Sequence, residues 1–247
     1  QEINTGEAGL PEWFDSLRRA FPDWDVYITP QLNDEEYRRG RNWKDMLIGL
    51  NTYEHNELHL ATSVRSFRTP DLAAFVKAVL DADTQNAKNL YQRIKDKYPI
   101  AITRDLNKAK DWVREHCQGT TRYGLLSSSG ALRLKPEGIF VKNEISVANW
   151  FLNGKDDVRS SYMLEDVVTE FDIQGLELDY SVVAWDADYR FVNGEWTYNN
   201  FVGNRWTNVS SEERRLYLKN AYRVLLTRAR QGMAIFVPDG SDDDKTR

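Results

Sequence analysis

The chain of 247 residues is long enough to bury one large core or two small ones, and its 41% hydrophobic and 29% charged residues are typical of a folded domain. Its net charge of −5 excludes a global attraction to nucleic acid, so such binding would need a local basic patch. The single cysteine, Cys117, excludes an internal disulfide and favours the cytoplasm, and no apolar run is long enough to span a membrane. The sequence starts at Gln1, as expected of a piece of a longer protein.

The predicted elements begin with a helix whose apolar residues recur from Leu10 to Phe21, followed by an alternating strand at 24–29. The strongly charged stretch 31–47 predicts a loop with a helical piece. From residue 57 onward, short apolar strands alternate with helices. The predicted strands are 58–64, 100–103, 123–126, 167–171, 181–185 and 233–237, and the predicted helices start at residues 70, 84, 106 and 211.

This alternation predicts an α/β fold with a mostly parallel sheet and helices on both faces. The pattern breaks at 188–210, where Asn193-Gly194 predicts the tight turn of a small β-hairpin insertion. We expect residues 1–56 to belong to a preceding domain or linker and 57–240 to form the main domain. The charged tail 241–247 is predicted to be disordered.

Two stretches carry most of the chemical information. In 168–179 a strand enters a loop that contains Gly175 and Glu177, and in 220–230 a helix end presents Arg228 beside Thr227. Phosphate chemistry needs positive charge where negative charge develops. Arg228 lies off the apolar stripe of the predicted helix 211–229, so it can point into a cleft; the alternative is an ordinary surface arginine.

These stretches resemble motifs V and VI of superfamily 1 DNA/RNA helicases. Residues 62–68 look like the Asn-Tyr-Arg-Ser segment of those proteins, with Arg65 at the arginine position, and 100–107 resemble the segment that opens their second lobe. The chain as a whole resembles the C-terminal part of the Schlafen group 3-type helicase-domain family. That likeness is carried by residues 63–68, 103–108, 151–161 and 184–188, while Phe171 and Gln174 depart from the common motif.

The resemblance implies a RecA-like, P-loop NTPase-type second lobe that uses ATP and Mg, both bound mainly by the first lobe. It implies that Arg65 and Arg228 are catalytic contacts to phosphate. The nucleotide-binding residues that it implies are Gly175, Glu177, Gln1 and Arg104. The expected partners are single-stranded DNA or RNA and the N-terminal motor lobe, of which residues 1–56 would be a remnant.

For the nucleic-acid surface we expect the 169–174 loop and the turn that follows the strand at 123–126. Backbone amides and hydroxyls in such a turn hold phosphate, and basic side chains add electrostatic attraction. The candidate residues are Thr169, Gln174, Ser127, Ser128, Ser129, Arg133 and Lys135.

A phosphate loop is not recognisable in the sequence. Around Gly154-Lys155, Asn149 stands where the first glycine belongs and Asp156 where Ser or Thr belongs. We therefore expect the chain alone neither to bind ATP tightly nor to hydrolyse it. The alternatives are a non-catalytic nucleic-acid-binding or interaction module and, third, a metal-dependent nuclease built on Glu177-x-Asp179 and Asp186-x-Asp188.

Three weaker patterns have simpler interpretations. His55 and His59 have a zinc-like spacing, but a strand there would place them on no common helical face, so no metal site is predicted. The basic cluster at 38–44 is diluted by neighbouring acids and is typical of a solvated face. A third pattern is a group of aromatic residues in the insertion: Trp196, Tyr198, Phe201 and Trp206. Together with Arg205 they could stack on bases, but we favour the alternative that they form the core of the insertion.

Overall fold

The computed structural model describes residues 9–30, 42–59, 70–243 and 246. The chain divides into two compact units, 1–64 and 65–247. In the smaller unit two parallel strands pair with Asp25 opposite Asn51. Its described elements are α1 (Gly9–Ala20), β1 (Asp25–Ile28), α2 (Trp43–Leu47), β2 (Asn51–Glu54) and a 3-10 turn (Asn56–Leu58), around a core of Phe14, Ile28, Trp43, Met46 and Leu50.

The larger unit is built on a five-stranded sheet in which every pairing is parallel. In sheet order the strands are β3 (Ile100–Thr103), β10 (Ala229–Phe236), β6 (Leu178–Ala184), β4 (Tyr123–Ser127) and β5 (Val167–Val168). The helices along this unit are α3 (Pro70–Leu80), α4 (Thr84–Ile94), α5 (Leu106–His116), α6 (Val147–Leu152) and α7 (Glu212–Leu226). This architecture confirms the predicted RecA-like α/β fold.

The strand register defines two opposite edges of the sheet. Near the strand ends, one row of residues runs across four neighbouring strands. In this row each residue lies opposite the next: Thr103, Phe236, Ala184 and Ser127. We call this the carboxyl edge. At the other end Leu178 lies opposite Ala229, and we call this the amino edge. Residues that follow strands therefore gather at the carboxyl edge, and residues that precede strands gather at the amino edge.

Two elements end earlier than the sequence predicts. Helix α7 stops at Leu226 because the Thr227 hydroxyl donates back to the carbonyl of Arg223 (2.8 Å) and strand β10 begins at Ala229. Strand β5 has two residues instead of five, because Thr169 turns the chain by donating from its amide and hydroxyl to Asp172 (2.8 and 2.7 Å). The prediction that Arg228 belongs to the helix is wrong.

The insertion is an antiparallel three-stranded sheet of β7 (Tyr189–Val192), β8 (Glu195–Val202) and β9 (Arg205–Asn208). Asn193 and Gly194 adopt positive φ angles of 52° and 89°, as the tight turn of the predicted hairpin requires. Trp196 stacks on Tyr189 with ring centroids 4.4 Å apart, and its indole nitrogen donates to the carbonyl of Val79 on α3 (2.8 Å). The hairpin is confirmed, and a third strand extends it.

Candidate functional site

The two residues of greatest chemical interest are neighbours on the amino edge. Glu177 precedes β6 and Arg228 precedes β10, and these strands are adjacent in the sheet. The amide of Leu178 donates to the carbonyl of Arg228 at 3.0 Å, which fixes the two backbones side by side. Leu178 directly follows Glu177. This bond therefore places the backbones of Glu177 and Arg228 next to each other at the amino edge.

Arg228 lies in the two-residue connection between α7 and β10. Its side chain is partly buried, and its Nε donates to the carbonyl of Val224 at 3.1 Å. That carbonyl belongs to the last turn of α7, where the partial negative charge of a helix end attracts a cation. The guanidinium is therefore held at the helix end, with a planar fork of donors at the rim of the sheet.

Gly175 shapes the approach to Glu177. Its φ angle is 90°, which side chains disfavour, and a Cβ added there would meet nothing within 4 Å. Glycine is thus required by the backbone turn rather than by crowding. The open space beside this exposed residue leaves its main chain accessible to a ligand.

A rigid network around Asp179 supports this edge. The Asp179 carboxylate accepts from the amide of Arg122 (2.8 Å), from the guanidinium of Arg230 (2.8 Å) and from the amide side chain of Gln231 (2.9 Å). These bonds join the starts of β4, β6 and β10 two residues from Glu177. Asp179 therefore serves the fold, and its carboxylate is committed to protein donors.

One loop connects the two edges of the sheet. It starts at Thr169 and ends at Glu177 on the amino edge. Val168 and Val183 both lie opposite Leu126, so Thr169, which follows Val168, is level with the carboxyl edge. Ile173, fully buried, anchors its middle. Thr169 through Glu177 thus forms a short, packed link between distant parts of the surface, which we call the crossing loop.

At the carboxyl edge, the candidate serines are engaged with the protein itself. Ser127 and Ser128 are 0% and 1% exposed. The Ser127 hydroxyl donates to the carbonyl of Ala184 (2.9 Å), and that of Ser128 donates to Asp188 Oδ2 (2.8 Å). Since neither hydroxyl faces solvent, these two residues hold the strand ends together, and their predicted place on a nucleic-acid surface is not supported by their geometry.

Ser129 is bound in the same way, to a buried acid. Its amide and hydroxyl donate to the two oxygens of Glu170 at 2.8 and 2.7 Å, and Glu170 is 4% exposed. Burial raises the pKa of the Glu170 carboxyl, and the bonds from Ser129 act in the opposite direction. Thr169, 6% exposed, is likewise committed to Asp172.

Asp188 is a second buried acid of this edge. It accepts from Ser128 and from the hydroxyl of Tyr222, a fully buried residue of α7. Burial, reinforced by the nearby Asp186 carboxylate, raises the pKa of Asp188 to about 8. The sequence signal for this network was the pair Asp186-x-Asp188 directly after a buried strand, which the prediction treated as a weak nuclease motif.

Arg104 lies at the carboxyl edge, away from the other predicted nucleotide contacts. It directly follows β3, and so lies at the same end of the sheet as Val237, which follows β10, and Trp185, which follows β6. Its Nη1 donates to the carbonyl of Pro238 at 2.7 Å. Glu177 and Arg228 lie at the opposite ends of these strands. A shared nucleotide site for Arg104 and Glu177 is therefore not supported by the register, and we reassign Arg104 to the carboxyl edge.

The remaining basic and polar candidates have varied positions. Arg133 bonds to the carbonyl of Asp239 (3.4 Å) and the hydroxyl of Thr246 (3.2 Å) at the carboxyl edge, while Lys135 and Gln174 are exposed. Several sequence candidates lie outside the described residues: Gln1, Arg65, Arg38, Arg39, Arg41 and residues 60–64 of the first predicted strand.

The carboxylate pairs of the nuclease hypothesis do not form one site. Asp179 is the second residue of β6 and Asp186 follows the end of this strand, so about 20 Å of strand separates them. His55 and His59 flank the 3-10 turn Asn56–Leu58. Within the described part of the chain, no group of three or more His, Cys, Asp or Glu residues is placed to hold a metal ion, and no helix has the length and apolar character needed to cross a bilayer.

Comparison with known protein families agrees with this architecture. The family model described as Schlafen group 3, DNA/RNA helicase domain matches residues 1–239, so the chain belongs to that family. No curated protein shows significant similarity to the sequence.

Proposed function

We propose that this chain supplies the second RecA-like lobe of an ATP-driven motor that moves on DNA or RNA. The supporting observation is the position of Glu177 and Arg228 at the amino ends of two adjacent central strands, beside the 3.0 Å bond from the Leu178 amide to the Arg228 carbonyl. An acid and an arginine at one rim of a parallel sheet are suited to a nucleotide that lies against that rim.

In this proposal Arg228 acts on the phosphates. When the two lobes close, its guanidinium leaves the Val224 carbonyl and donates to oxygens whose negative charge grows during phosphoryl transfer. Glu177 accepts hydrogen bonds from hydroxyl groups of the nucleotide, and the main chain at Gly175 allows close approach. Arg65 is proposed as a second phosphate contact on the helicase resemblance alone.

A bound nucleotide and Mg would supply the scissile phosphate and the charge that neutralises it, and the other lobe would hold them with its phosphate loop. One observation supports this division: no phosphate loop is recognisable in the sequence. This chain therefore contributes positive charge from the opposite side of the cleft. Its one cysteine suits a reducing, cytoplasmic location.

The crossing loop offers a physical route from nucleotide to nucleic acid. A shift of Glu177 by the nucleotide pulls on a segment whose other end, Thr169, lies at the carboxyl edge beside Ser129 and Glu170. Because Ile173, in the middle of the loop, is fully buried, a displacement of the loop repacks the core beneath it. We propose that the carboxyl edge holds a single strand.

The test is nucleic-acid-stimulated ATP hydrolysis by the protein in which this chain is joined to its phosphate-loop lobe. Arg228→Ala should lower turnover by about 100-fold or more, the scale of losing an arginine that stabilises the transition state. Arg214→Ala is the matched control, since Arg214 is an exposed arginine of α7, the helix that ends beside Arg228. It should leave turnover within about threefold of wild type.

Two results would reject the proposal. Equal turnover of the Arg228→Ala variant and wild type would show that this arginine does not serve the nucleotide. Strand binding without any ATP hydrolysis by the joined protein would instead favour the non-catalytic nucleic-acid-binding module.

A further inference from the structure

A cavity of about 410 Å³ opens at the carboxyl edge, between the ends of β3, β6 and β10 and the first strand of the insertion. This volume is within the range of small-molecule sites. The walls that matter are three arginines and three aromatic residues: Arg104, Arg133, Arg190, Trp185, Phe191 and Trp196. The combination differs from that of an apolar groove, because cationic and aromatic groups converge on one space.

The charge of the walls favours an anion. Arg104 and Arg133 line it together with one carboxylate, that of Asp186, whose Oδ1 accepts from the amide of Ala187 (2.7 Å). The guanidinium of Arg190 lies over the ring of Trp206 instead, 5.2 Å from its centroid. Nη1 of Arg104 is anchored to the segment after β10, and no other described residue engages its Nε or Nη2. Arginine presents five donors in a planar fork that suits phosphate. The cavity therefore provides a preformed phosphate contact on the rim of the sheet.

The aromatic wall is rigid. Trp196 is held by its bond to Val79 and by stacking on Tyr189, and Trp185 stacks on Trp196 with centroids 5.6 Å apart. Phe191 packs edge-on against Trp196 at 5.2 Å and remains 50% exposed. A half-exposed ring on a fixed support loses little conformational entropy when a planar group stacks on it.

We propose that this cavity receives one unpaired nucleotide of a single strand, with its phosphate at Arg104 and its base against Phe191. The inference rests on the proposed function and deepens it by naming a strand-binding pocket to which the insertion contributes Phe191 and Trp196. A base in a duplex is stacked and paired, so it cannot enter a recessed cavity, whereas an unpaired base can. The pocket thus selects single strands without reading sequence.

The test uses the 247-residue chain and fluorescently labelled oligonucleotides of about 16 nucleotides, as DNA, RNA and duplex, with binding followed by anisotropy. Phe191→Ala should weaken single-strand binding about tenfold, and Arg104→Ala should also lower the dependence of log affinity on log salt by about one. Phe140→Ala and Arg214→Ala, which alter an exposed aromatic and an exposed arginine outside the cavity, should bind as wild type. Circular dichroism checks that each variant is folded.

A second readout reports the base directly. A 2-aminopurine in the strand should lose fluorescence on binding to wild type, because it stacks, and regain it with Phe191→Ala. If wild type binds strands but Phe191→Ala and Arg104→Ala bind equally well, or if duplex binds as tightly, the pocket is refuted while the proposed motor lobe stands. If wild type binds no strand of either kind, both the pocket and the proposed strand surface are refuted. Tighter binding of RNA than of DNA would place the sugar 2′-hydroxyl in contact and support the pocket.

Discussion

The buried acid Asp188 gives the fold a pH dependence of definite sign. Folded Asp188 has a pKa raised to about 8, whereas the unfolded value is 3.8. Between these values the folded state holds a proton that the unfolded state has released. The free energy of unfolding therefore falls as the pH rises. The stabilising contribution of Asp188 is fully present below the pKa of the unfolded state and is lost as the pH rises through the pKa of the folded state.

Asp188→Asn removes this titration while keeping the shape of the side chain. An amide oxygen can still accept from Ser128, and an amide nitrogen can donate to the hydroxyl of Tyr222. One proton of difference corresponds to about 1.4 kcal/mol per pH unit. From about pH 5 to about pH 7, the asparagine variant should therefore gain roughly 3 kcal/mol of stability relative to wild type.

The assay is urea unfolding at several pH values, followed by the near-ultraviolet circular dichroism of the aromatic cluster around Trp185. Subtracting wild type from the variant cancels the titrating groups that do not interact with the Asp188 carboxyl; Asp186 and Glu170 do interact with it. Asp243→Asn, which makes the same charge change at an exposed position, should give a curve parallel to wild type. A parallel curve for Asp188→Asn as well would refute the account of this network.

Three glycine substitutions separate backbone strain from crowding. Gly175→Ala should destabilise the protein by about 1 kcal/mol and should also reduce strand-stimulated ATP hydrolysis. Gly194→Ala is the control: its φ of 89° is almost equal and the space around it is equally open, so it should cost similar stability and leave hydrolysis unchanged. Equal hydrolysis in both variants would argue against a role of Gly175 at the nucleotide. Gly124→Ala should destabilise by about 3 kcal/mol in thermal unfolding, because its Cβ would lie 2.4 Å from the ring of buried Trp150, and an unchanged melting temperature would contradict this packing.

The periodicity of the sequence predicted the sheet, but the order of its strands depends on contacts between distant segments. The sequence shows that Glu177 and Arg228 each precede a strand. Their proximity follows only once β6 and β10 are known to be adjacent. Arg104 could have been separated from them earlier, because a residue that follows a parallel strand lies at the opposite edge from residues that precede one.

The serine turn was harder to interpret from local sequence. A run of serines before Gly130 suggests exposed phosphate donors, but Ser128 is bound to Asp188, sixty residues later in the chain. The same buried network involves Tyr222, whose helical position indicated a core residue but not its partner. Long-range hydrogen bonds of this kind leave no periodic signal, so burial overrode the polar appearance of the turn.

The end of α7 shows how a single side chain changes an assignment. The apolar stripe continued to Ala229 and predicted a helix through that residue. Thr227 instead satisfies the last carbonyls and releases the chain into β10. Arg228 consequently lies at the rim of the sheet, in the two-residue connection between α7 and β10.

The most direct measurement is the structure of the joined protein with a non-hydrolysable ATP analogue and a single strand. The proposed role of Arg228 predicts its guanidinium within about 3 Å of a phosphate oxygen, with Glu177 beside the same nucleotide and Arg104 at the opposite edge. An analogue bound at the carboxyl edge, or Arg228 still bonded to the Val224 carbonyl in the closed complex, would contradict it.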